Sequence, residues 1–599
     1  MKPSTDQRLS WLVVLGFSLL LLLPALLPAL KFLQDSDPAR IVNMLYDDTY
    51  YYLQIAYNLA HHGHSSFDGI TTTNGYQPLW LLLLTLLAKL TGPDKTIFFW
   101  ASVALTQLLA LYAIWMAPKL VSGKEFRPFY LTLLMAFIIL QFNTIYTKGL
   151  ETVLTPFFII YLLMRLAKPD EMLEKTTPLG LVFAFAFLVR LDAIAVVPAY
   201  LLFDFMLNRR RLQPHYLIRL TRVLTPLIVT GLIYAALNQY WFGTPVPVSG
   251  LAKALDTGRF SNFGILYNYL MSCLPLFPVR SEWLPLLFWG AVVVIELLRH
   301  RLCGRLQAHG IPLLFLLLCA GIQYFYYASF SGWNIWPWYL YYSPFILFFV
   351  IARTATSLLI LARQLRVGGK WLAEDSNGLT QTRLHTGIAI TLLLTAGLYT
   401  AADKLRAGLQ TADPARLTYA KLSVQQCDLY RDRTVAFGDR AGSLGYWCPT
   451  RVVQTEGLVM SRDFLRARAA CTGEQWLDDH YDIDLYVVDR DRIPVKSGTP
   501  DVYIVVDPIQ GRTAHKALLH YCFPATALLD SSRYGADASR FIFDYRQKIP
   551  CDAEAERIIA DIQAREGMRR YSLPAEYRNS RLKTWLENID RQLADLQKP

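Results

Sequence analysis

Leucine-rich apolar segments recur along residues 11–401 of this chain and then stop. A helix needs about 20 apolar residues to cross the hydrocarbon core of a membrane. Lipid offers no partner for free backbone N–H and C=O groups, so such segments must fold as helices. The sequence therefore predicts an α-helical polytopic membrane protein, and a hydrophobic content of 53% agrees with that class.

The apolar pattern predicts eleven candidate spans, some of them shorter than this length. They cover residues 11–33, 97–118, 128–142, 150–166, 179–190, 193–207, 217–237, 284–298, 310–328, 338–362 and 385–401. The first is too long for the core of a signal peptide and lacks a small-residue cleavage site. We therefore expect it to be a retained transmembrane helix.

The apolar segment 78–90 is shorter and has two interpretations: a full span, or a helix that enters the membrane and returns. A returning helix places the basic loop 119–127 in the cytoplasm, where positively charged loops are favoured. It also divides 179–207 into two short helices whose tip, 190–192, faces outward, where an ion pair costs less than in lipid. We therefore expect the returning helix, a cytoplasmic N-terminus and an external C-terminal region.

The chain has a formal net charge of +12, and many of its basic residues occur in clusters. Basic clusters lie between apolar spans, at Arg209-Arg210-Arg211, at Arg299 with Arg301 and Arg305, and at Arg363 with Arg366 and Lys370. Such clusters are typical of the cytoplasmic loops of membrane proteins. The charge thus indicates a membrane-lipid partner, and no nucleic-acid partner is expected.

The apolar pattern divides the chain into two regions. Residues 1–401 are predicted to form a transmembrane domain with external loops at 34–96 and 238–283, and residues 402–599 an external α/β domain with a C-terminal helix. Short β-rich runs at 434–437, 451–453, 485–488 and 502–506 indicate its strands. Cysteines also occur there, namely Cys427, Cys448, Cys471, Cys522 and Cys551. Outside the cytoplasm they predict one or two disulfides, with the connectivity left open.

Asp47 and Asp48 are adjacent acids that follow soon after the first span. Two neighbouring carboxylates repel each other unless a cation, hydrogen bonds or a proton relieves them. Asp48 has a simple structural interpretation as the cap of a helix that begins near Thr49. That interpretation leaves Asp47 unexplained, so we predict a catalytic pair: Asp47 as general base, and Asp48 as its partner, a metal ligand or the helix cap.

Amide side chains and a further carboxylate follow in the sequence. Asn74 precedes Gly75 in a turn signal, and Gln77 precedes Pro78, which fits the first turn of a helix. The two amides either support this turn or bind an acceptor or a sugar. Glu151 lies at a predicted helix start, where a carboxylate is electrostatically favourable, and it is also a candidate donor-site residue.

Basic and aromatic side chains are the candidates for binding an anionic lipid-linked group. Arg190 either pairs with Asp192 or binds a phosphate through its planar guanidinium. Lys253 follows a Gly- and Pro-rich part of the second external loop and is a second phosphate candidate. Trp336 and Tyr339, at the mouth of a later span, are either interfacial belt residues or a stacking face for a sugar. All these groups fall on the external side under one topology, which predicts an external active site accessible from the bilayer.

Histidines at positions 61, 62 and 64 are a weak indication of a metal site. Their spacing is cramped, and no Cys or Glu lies near them in the sequence. The cofactor therefore stays unknown, with a divalent metal possible at Asp48.

The motifs resemble those of the GT-C glycosyltransferases, integral-membrane enzymes that use polyprenyl-phosphate-linked sugars. The resemblance extends over most of residues 40–460. It lies in Asp47-Asp48 with the Tyr-rich segment after them, and in segments 73–80, 149–152, 190–192, 242–247, 438–442 and 456–458. The last two are similar to a branch that includes bacterial arabinofuranosyltransferases of cell-envelope glycans. Leu191 stands where the family often has Pro, and Glu456 where it commonly has Asp.

The resemblance implies a multi-pass enzyme of the bacterial inner membrane with an active site that faces the periplasm. It would transfer a sugar, such as arabinofuranose, from a polyprenyl-phosphate donor to a glycan or protein acceptor. Glu151, Arg190, Asp192 and Lys253 would then shape the donor site. The alternative is a transporter or flippase of a lipid-linked substrate. A transporter should show repeat symmetry and polar groups in broken helices at the midplane, and the sequence contains no convincing repeat.

Overall fold

The computed structural model describes most of the residues that surround the predicted site. These are residues 29–116 except 31, residue 120, and residues 128–141, 143–166, 176–208, 215–254, 310–331, 336–364, 431–438, 441–469 and 473–483, with short pieces elsewhere. The predicted spans 11–33, 284–298 and 385–401, the strand predicted at 502–506 and the C-terminal helix lie largely or wholly outside these residues.

Helices make up most of the described chain. They are α1 (Asp47–His62), α2 (Pro78–Thr91), α3 (Lys95–Met116), α4 (Pro128–Gln141), α5 (Asn143–Tyr146), α6 (Thr155–Leu166), α7 (Thr176–Val189), α8 (Val196–Asn208), α9 (His215–Phe242), α10 (Val248–Ala254), α11 (Gly310–Phe330), α12 (Ser343–Gln364), α13 (Ala441–Trp447), α14 (Arg462–Ala469) and α15 (Gly473–His480). Short 3-10 helices lie between them at Pro38–Arg40, Val42–Met44, Glu151–Leu154, Leu191–Ala195 and Pro337–Leu340.

Within the described residues, three helices are long and apolar enough to cross a membrane, namely α3, α9 and α11. They match the predicted spans 97–118, 217–237 and 310–328. Helix α9 leaves large apolar side chains on its surface, with Leu232 66% and Ile233 55% exposed. A contiguous apolar face of this kind fits contact with lipid better than contact with water.

Several other predicted spans form shorter helices. Helices α4 and α7 have 14 residues each, α6 has 12 and α8 has 13. At 1.5 Å per residue the described parts of these helices are roughly 18–21 Å long. Helix α2 has 14 residues and begins at Pro78, so its start agrees with the prediction and its length with a helix that does not cross completely.

The segment 179–207 is broken where the sequence predicts a break. Helix α7 ends at Val189, Arg190 is extended with φ −150° and ψ 126°, and a 3-10 helix precedes α8. The side-chain oxygen of Gln77 accepts the N–H of Leu191 at 3.0 Å, which satisfies one backbone group that the break leaves free. Irregular backbone near a membrane needs surrounding protein or a cavity, and Arg190 is only 2% exposed.

Helix α1 begins earlier than the sequence predicts. Tyr46 is extended at the N-cap position and makes no side-chain cap bond, so Asp47 and Asp48 form the first turn. The Thr49 N–H donates to the Tyr46 carbonyl at 3.0 Å, inside the helix already. The interpretation of Asp48 as the helix cap is therefore wrong, because the chain enters the helix before Asp48.

Helix α1 is buried on more than one side. It packs against α2 on one side and against α13 of the C-terminal region on another. Tyr50 and Leu53 are fully buried, and Tyr51 is 5% exposed. Protein therefore covers much of the surface of this helix.

The described strands of the C-terminal region are β1 (Thr434–Phe437), β2 (Arg451–Gln454), β3 (Leu485–Asp489), β4 (Tyr521–Cys522), β5 (Ala525–Ala527), β6 (Phe543–Gln547) and β7 (Ile549–Pro550). Five of them form a mixed sheet in the order β2-β1-β3-β6-β5. Strand β1 is parallel to β2 and β3, whereas β6 is antiparallel to β3 and β5. The runs predicted at 434–437, 451–453 and 485–488 correspond to β1, β2 and β3.

This sheet region packs directly on residues 34–96, the segment predicted to be the first external loop. The Tyr446 hydroxyl donates to the Lys95 carbonyl at 2.6 Å, and the Lys95 ammonium donates to the Tyr446 carbonyl at 2.8 Å. The Tyr481 hydroxyl donates to the Asp68 carboxylate at 2.5 Å. Phe437 shares one continuous apolar core with the helices of the N-terminal region. The two predicted regions thus meet over an extensive contact.

A disulfide joins Cys427 and Cys448, immediately after α13. This pair is one of the connectivities that the sequence left open. It confirms the prediction of at least one disulfide among the cysteines of this region.

Candidate active site

Six of the predicted site residues form one connected group, which we call the polar cluster. Its members are Gln77, Glu151, Arg190, Asp192, Lys253 and Tyr339. They come from five segments that are far apart in the sequence. The segments are the ends of apolar helices or short helices next to them, so the fold brings these ends together on one side.

Arg190 is the centre of the polar cluster. Its Nε and Nη2 donate to the two carboxylate oxygens of Asp192 at 2.9 and 3.1 Å, and its Nη1 donates to Glu151. The rings of Tyr339 and Tyr341 both lie 5.3 Å from its guanidinium carbon. One positive charge therefore meets two negative charges, and of the two alternatives for Arg190 the structure shows the pairing with Asp192.

Asp192 has further partners that keep it ionised. Gln323 and the Tyr327 hydroxyl donate to its Oδ2 at 2.5 and 2.9 Å. Burial opposes ionisation, but Arg190 and these hydrogen bonds hold the pKa of the Asp192 carboxyl below its ordinary value. Glu151, 4% exposed, lies in the first turn of the 3-10 helix before α6, in agreement with its predicted place at a helix start.

Gln77 connects the first loop to this group. Its side-chain oxygen accepts from the Leu191 N–H, and its own N–H donates to the Tyr52 hydroxyl at 3.0 Å. Burial, together with the charge of Glu151, raises the pKa of Tyr52 well above its ordinary value. Tyr52 therefore stays a neutral phenol between the amide and the carboxylate.

Lys253 joins the polar cluster from α10. Its Nζ donates to the Tyr339 hydroxyl at 2.7 Å, and its ammonium lies 5.4 Å from the centre of that ring. Burial alone would lower the pKa of Lys253, but Tyr339 and the charge of Asp48 raise it above its ordinary value. Lys253 is therefore a permanent cation at neutral pH, on the side of the cluster that Asp48 influences.

Asp47 contacts a different part of the molecule. Its Oδ2 accepts the Gly442 N–H at 2.8 Å, and its Oδ1 accepts the Ser443 N–H at 2.9 Å. The Tyr51 hydroxyl accepts the neighbouring Ala441 N–H at 3.2 Å. The two predicted catalytic acids are thus both partly buried at the start of α1, but Asp47 binds the C-terminal region.

Both polar atoms of the Asn74 side chain form hydrogen bonds to protein groups. Its amide nitrogen donates to the Asn238 side chain at 2.8 Å and to the Val246 carbonyl at 3.2 Å, and its oxygen accepts the Val248 N–H at 2.9 Å. These bonds join the segment 34–96 to the end of α9 and to the loop that leads into α10. Asn74 is 1% exposed, so in this structure it supports the loops that carry the site.

The aromatic candidates separate into a buried and an exposed residue. Tyr339 is 6% exposed and belongs to the polar cluster, whereas Trp336 is 44% exposed. Trp336 stacks on Trp338 with centroids 5.5 Å apart and nearly parallel planes, and Trp338 lies 4.9 Å from the ring of Tyr46. Because Tyr46 directly precedes Asp47, this aromatic row ends beside the two acids.

The described residues contain no group of three His, Cys, Asp or Glu side chains that could hold a metal ion. His62 and His64 are exposed, and His61 packs on the ring of Tyr57 at 4.7 Å. The histidines in this part of the chain therefore do not assemble into a site. A metal at Asp48 stays a prediction.

Sequence reasoning missed several residues that support the site. Gln323 and Tyr327 carry no signal in the sequence, and Tyr52 is marked only as part of the Tyr-rich segment after Asp48. Only the fold brings these three residues to charged partners. The carbonyl of Lys148 accepts the Thr49 hydroxyl at 2.7 Å and the Tyr46 N–H at 3.3 Å, which fixes the start of α1. The one signal in the sequence is that the next residue, Gly149, is a glycine. Its φ of 85° is a conformation that glycine adopts most easily.

Comparisons with known proteins give little further information. No protein-family model matches the sequence, and no curated protein matches it. Among solved structures, the chain is similar to the crystal structure of ArnT from Cupriavidus metallidurans in the apo state. The identity is 14% and the TM-score 0.43, and the match covers 76% of this chain and 91% of that chain. A similarity at this level establishes neither a family nor a function.

Proposed function

We propose that this chain is an integral-membrane glycosyltransferase of the GT-C type in a bacterial inner membrane. It transfers a sugar from a polyprenyl-phosphate donor to a glycan or protein acceptor, at a site that faces the periplasm. One observation supports this proposal above the others. Residues chosen from the sequence for this chemistry, in five separate segments, form one connected group at the ends of apolar helices.

The reaction needs three kinds of group. A base must take the proton of an acceptor hydroxyl, a cation must stabilise the phosphate that leaves, and a surface must hold the sugar. The Asp47-Asp48 pair supplies the carboxylate, and Lys253 supplies a cation that stays protonated at neutral pH. Tyr339, hydrogen-bonded to Lys253, and Trp336 supply aromatic surface.

The proposed step is a displacement at the anomeric carbon of the donor sugar. The acceptor oxygen forms the new bond to that carbon as its proton moves to an aspartate. The bond between the anomeric carbon and the phosphate oxygen breaks, and polyprenyl phosphate leaves with the electron pair. Glu151 and Asp192 hold Arg190 between them, so in this proposal Arg190 shapes the donor site while Lys253 faces the phosphate.

The resemblance of the sequence to arabinofuranosyltransferases makes arabinofuranose the first donor sugar to test. The experiment uses purified full-length protein in lipid nanodiscs with polyprenyl-phosphate arabinofuranose and a short glycan acceptor. The expected result is release of polyprenyl phosphate with growth of the acceptor. The matched control is the double variant Asp47→Asn/Asp48→Asn, which should release none. A wild-type protein that consumes no polyprenyl-phosphate sugar, with arabinofuranose or any other sugar, would contradict the proposal.

A transporter of a lipid-linked substrate is the second candidate, and the break between α7 and α8 favours it. Broken helices with paired charges are a common feature of transporter binding sites, and Arg190 lies at such a break. The two functions differ in the fate of the substrate. A transporter moves the lipid-linked sugar between leaflets of a vesicle without releasing polyprenyl phosphate, whereas a transferase consumes it.

A further inference from the structure

The two adjacent acids at the start of α1 have different surroundings. Successive residues in an α-helix point about 100° apart around the axis, so neighbouring side chains face different surfaces. Both carboxylate oxygens of Asp47 accept N–H groups from Gly442 and Ser443. Burial lowers the pKa of Lys253, a member of the polar cluster, but Tyr339 and, after it, the charge of Asp48 raise this pKa above its ordinary value.

Glycines allow the C-terminal region to approach the first loop very closely. A Cβ on Gly442 would lie 2.3 Å from the Asp47 carbonyl oxygen and 2.9 Å from its Oδ2. A Cβ on Gly445 would lie 2.5 Å from the ring of Phe67, and one on Gly75 would lie 1.9 Å from the Leu458 carbonyl oxygen. Three separate contacts between residues 442–458 and the first loop therefore tolerate no larger side chain without a shift.

A hydrogen bond beside Asp47 adds to the contact between α1 and α13. The Tyr51 hydroxyl, one turn further along α1, accepts the Ala441 N–H at 3.2 Å. Three consecutive N–H groups at the start of α13 thus donate to side chains of α1. Ser443 itself is fully buried, so the bond that it makes to Asp47 is shielded from water.

We propose that Asp47 and Asp48 perform separate tasks, which deepens the proposed function and rests on it. Asp47 is a positioning residue: its carboxylate docks residues 441–443 on α1 and holds the start of the helix in place. Asp48 is the catalytic base, because both carboxylate oxygens of Asp47 already accept N–H groups from Gly442 and Ser443 and the next residue of the helix faces a different surface. The C-terminal region thereby takes part in building the site, although it contributes no group to the reaction.

Kinetics of matched variants test the division of roles. Asp48→Asn should lower kcat by about 10²–10⁴-fold, the usual effect of removing a general base, and should remove the acidic limb of the kcat–pH profile. Asp47→Asn replaces one acceptor oxygen by an NH2 group, so it loses one of the two hydrogen bonds to α13 and should lower kcat by about tenfold or less. The acidic limb of its profile should persist. The opposite pattern, with the limb lost only in Asp47→Asn, would overturn the assignment.

Hydrogen exchange tests the docking without any assay of transfer. In Asp47→Ala the amides of residues 441–443 should exchange faster than in the wild type, because their acceptor is gone. Gly442→Ala should have the same effect, because its Cβ meets the Asp47 backbone. Gly438→Ala is the matched control, since its Cβ would meet only Thr455 at an ordinary 3.5 Å. Asp48→Asn should also leave the exchange of residues 441–443 unchanged.

Hydrogen exchange and transfer activity contradict different parts of the proposal. Unchanged exchange at residues 441–443 in both Asp47→Ala and Gly442→Ala would overturn the docking role, whatever the kinetics show. A wild-type protein that transfers no sugar would overturn the proposed function and the role of Asp48 with it, while the exchange result would still decide the role of Asp47.

Discussion

Lys253 donates a hydrogen bond to the Tyr339 hydroxyl at 2.7 Å, although 86 residues separate them in the chain. The Tyr339 ring in turn lies 5.3 Å from the Arg190 guanidinium. A residue predicted to hold a phosphate is thus the direct neighbour of a residue predicted to hold a sugar. In a sugar phosphate those two groups are joined by a single bond, so one donor molecule could contact both residues.

Replacement of Lys253 by His should make donor binding dependent on pH near neutrality. The pKa of Lys253 is raised above its ordinary value of 10.5. The wild-type KM for the donor should therefore be constant from about pH 6 to 9, since a free lysine titrates only near 10.4. In Lys253→His the cation disappears above about pH 6.5, and the KM should rise between about pH 6 and 7.5.

The control for this experiment is Lys89→His, because Lys89 is an exposed lysine at the end of α2. Its KM for the donor should match the wild type at every pH. The raised pKa of Lys253 also predicts how the free energy of unfolding depends on pH. The stabilisation by protonated Lys253 is fully present below the pKa of the unfolded state and is lost as the pH rises through the pKa of the folded state. A KM that stays constant in Lys253→His would show that another group holds the phosphate.

Removal of Arg190 should destabilise the protein strongly. Arg190→Met leaves the carboxylates of Glu151 and Asp192 buried without their cation, which typically costs about 3–5 kcal/mol. The triple variant Arg190→Met/Glu151→Gln/Asp192→Asn removes the charges together and should recover much of the free energy of unfolding. The measurement is chemical denaturation in detergent micelles. Equal stability of Arg190→Met and the wild type would mean that the three charges do not interact in solution.

Replacement of Trp336 by Ala should weaken acceptor or sugar binding without affecting the reaction step. Trp336 is 44% exposed and stacks on Trp338 at 5.5 Å. A stacking contact of about 0.5–1.5 kcal/mol corresponds to a KM increase of roughly 2- to 12-fold with kcat unchanged. The control is Trp241→Ala in α9, an exposed tryptophan with 60% exposure. The same loss in both variants would indicate a general membrane-interface effect in place of sugar binding.

Cysteine labelling at the two ends of α9 should establish the topology. Arg219 and Tyr240 are both exposed in this helix, and their separation of 21 positions corresponds to about 32 Å, enough to cross the hydrocarbon core. A membrane-impermeant thiol reagent on intact cells should modify Tyr240→Cys and spare Arg219→Cys. The background keeps Cys427 and Cys448 and replaces the other cysteines by serine. Labelling at 219 alone would place the candidate site in the cytoplasm.

Local signals in the sequence predicted several particular features correctly. Pro78 begins α2, because its fixed φ and missing N–H suit the first turn of a helix. The β-branched run at 434–437 became β1, and the long apolar segments 97–118 and 217–237 became α3 and α9. Each of these features depends on properties of neighbouring residues, which are readable along the chain.

Where the structure differs from the sequence-based predictions, contacts between distant segments of the chain are the cause. Asp48 was interpreted as a helix cap, and yet α1 begins at Asp47, where the Lys148 carbonyl fixes the turn through Tyr46 and Thr49. The residues near Asp48 do not indicate a contact with the carbonyl of Lys148, which lies a hundred positions away in the chain. The domain boundary predicted near residue 401 likewise gave no indication that Gly442 and Ser443 would bind Asp47.

The sequence by itself determined the membrane class of the fold, the positions of several helices and strands, and the residue types suited to the chemistry. These depend on apolar length, periodicity and local capping, all of which are properties of short stretches. Only the tertiary structure decided which charges meet, that Arg190 is held by both Asp192 and Glu151 and that Asp47 contacts α13. The physical reason is that a charge acts over a few ångströms in space, and chain distance carries no information about that separation until the helices have packed.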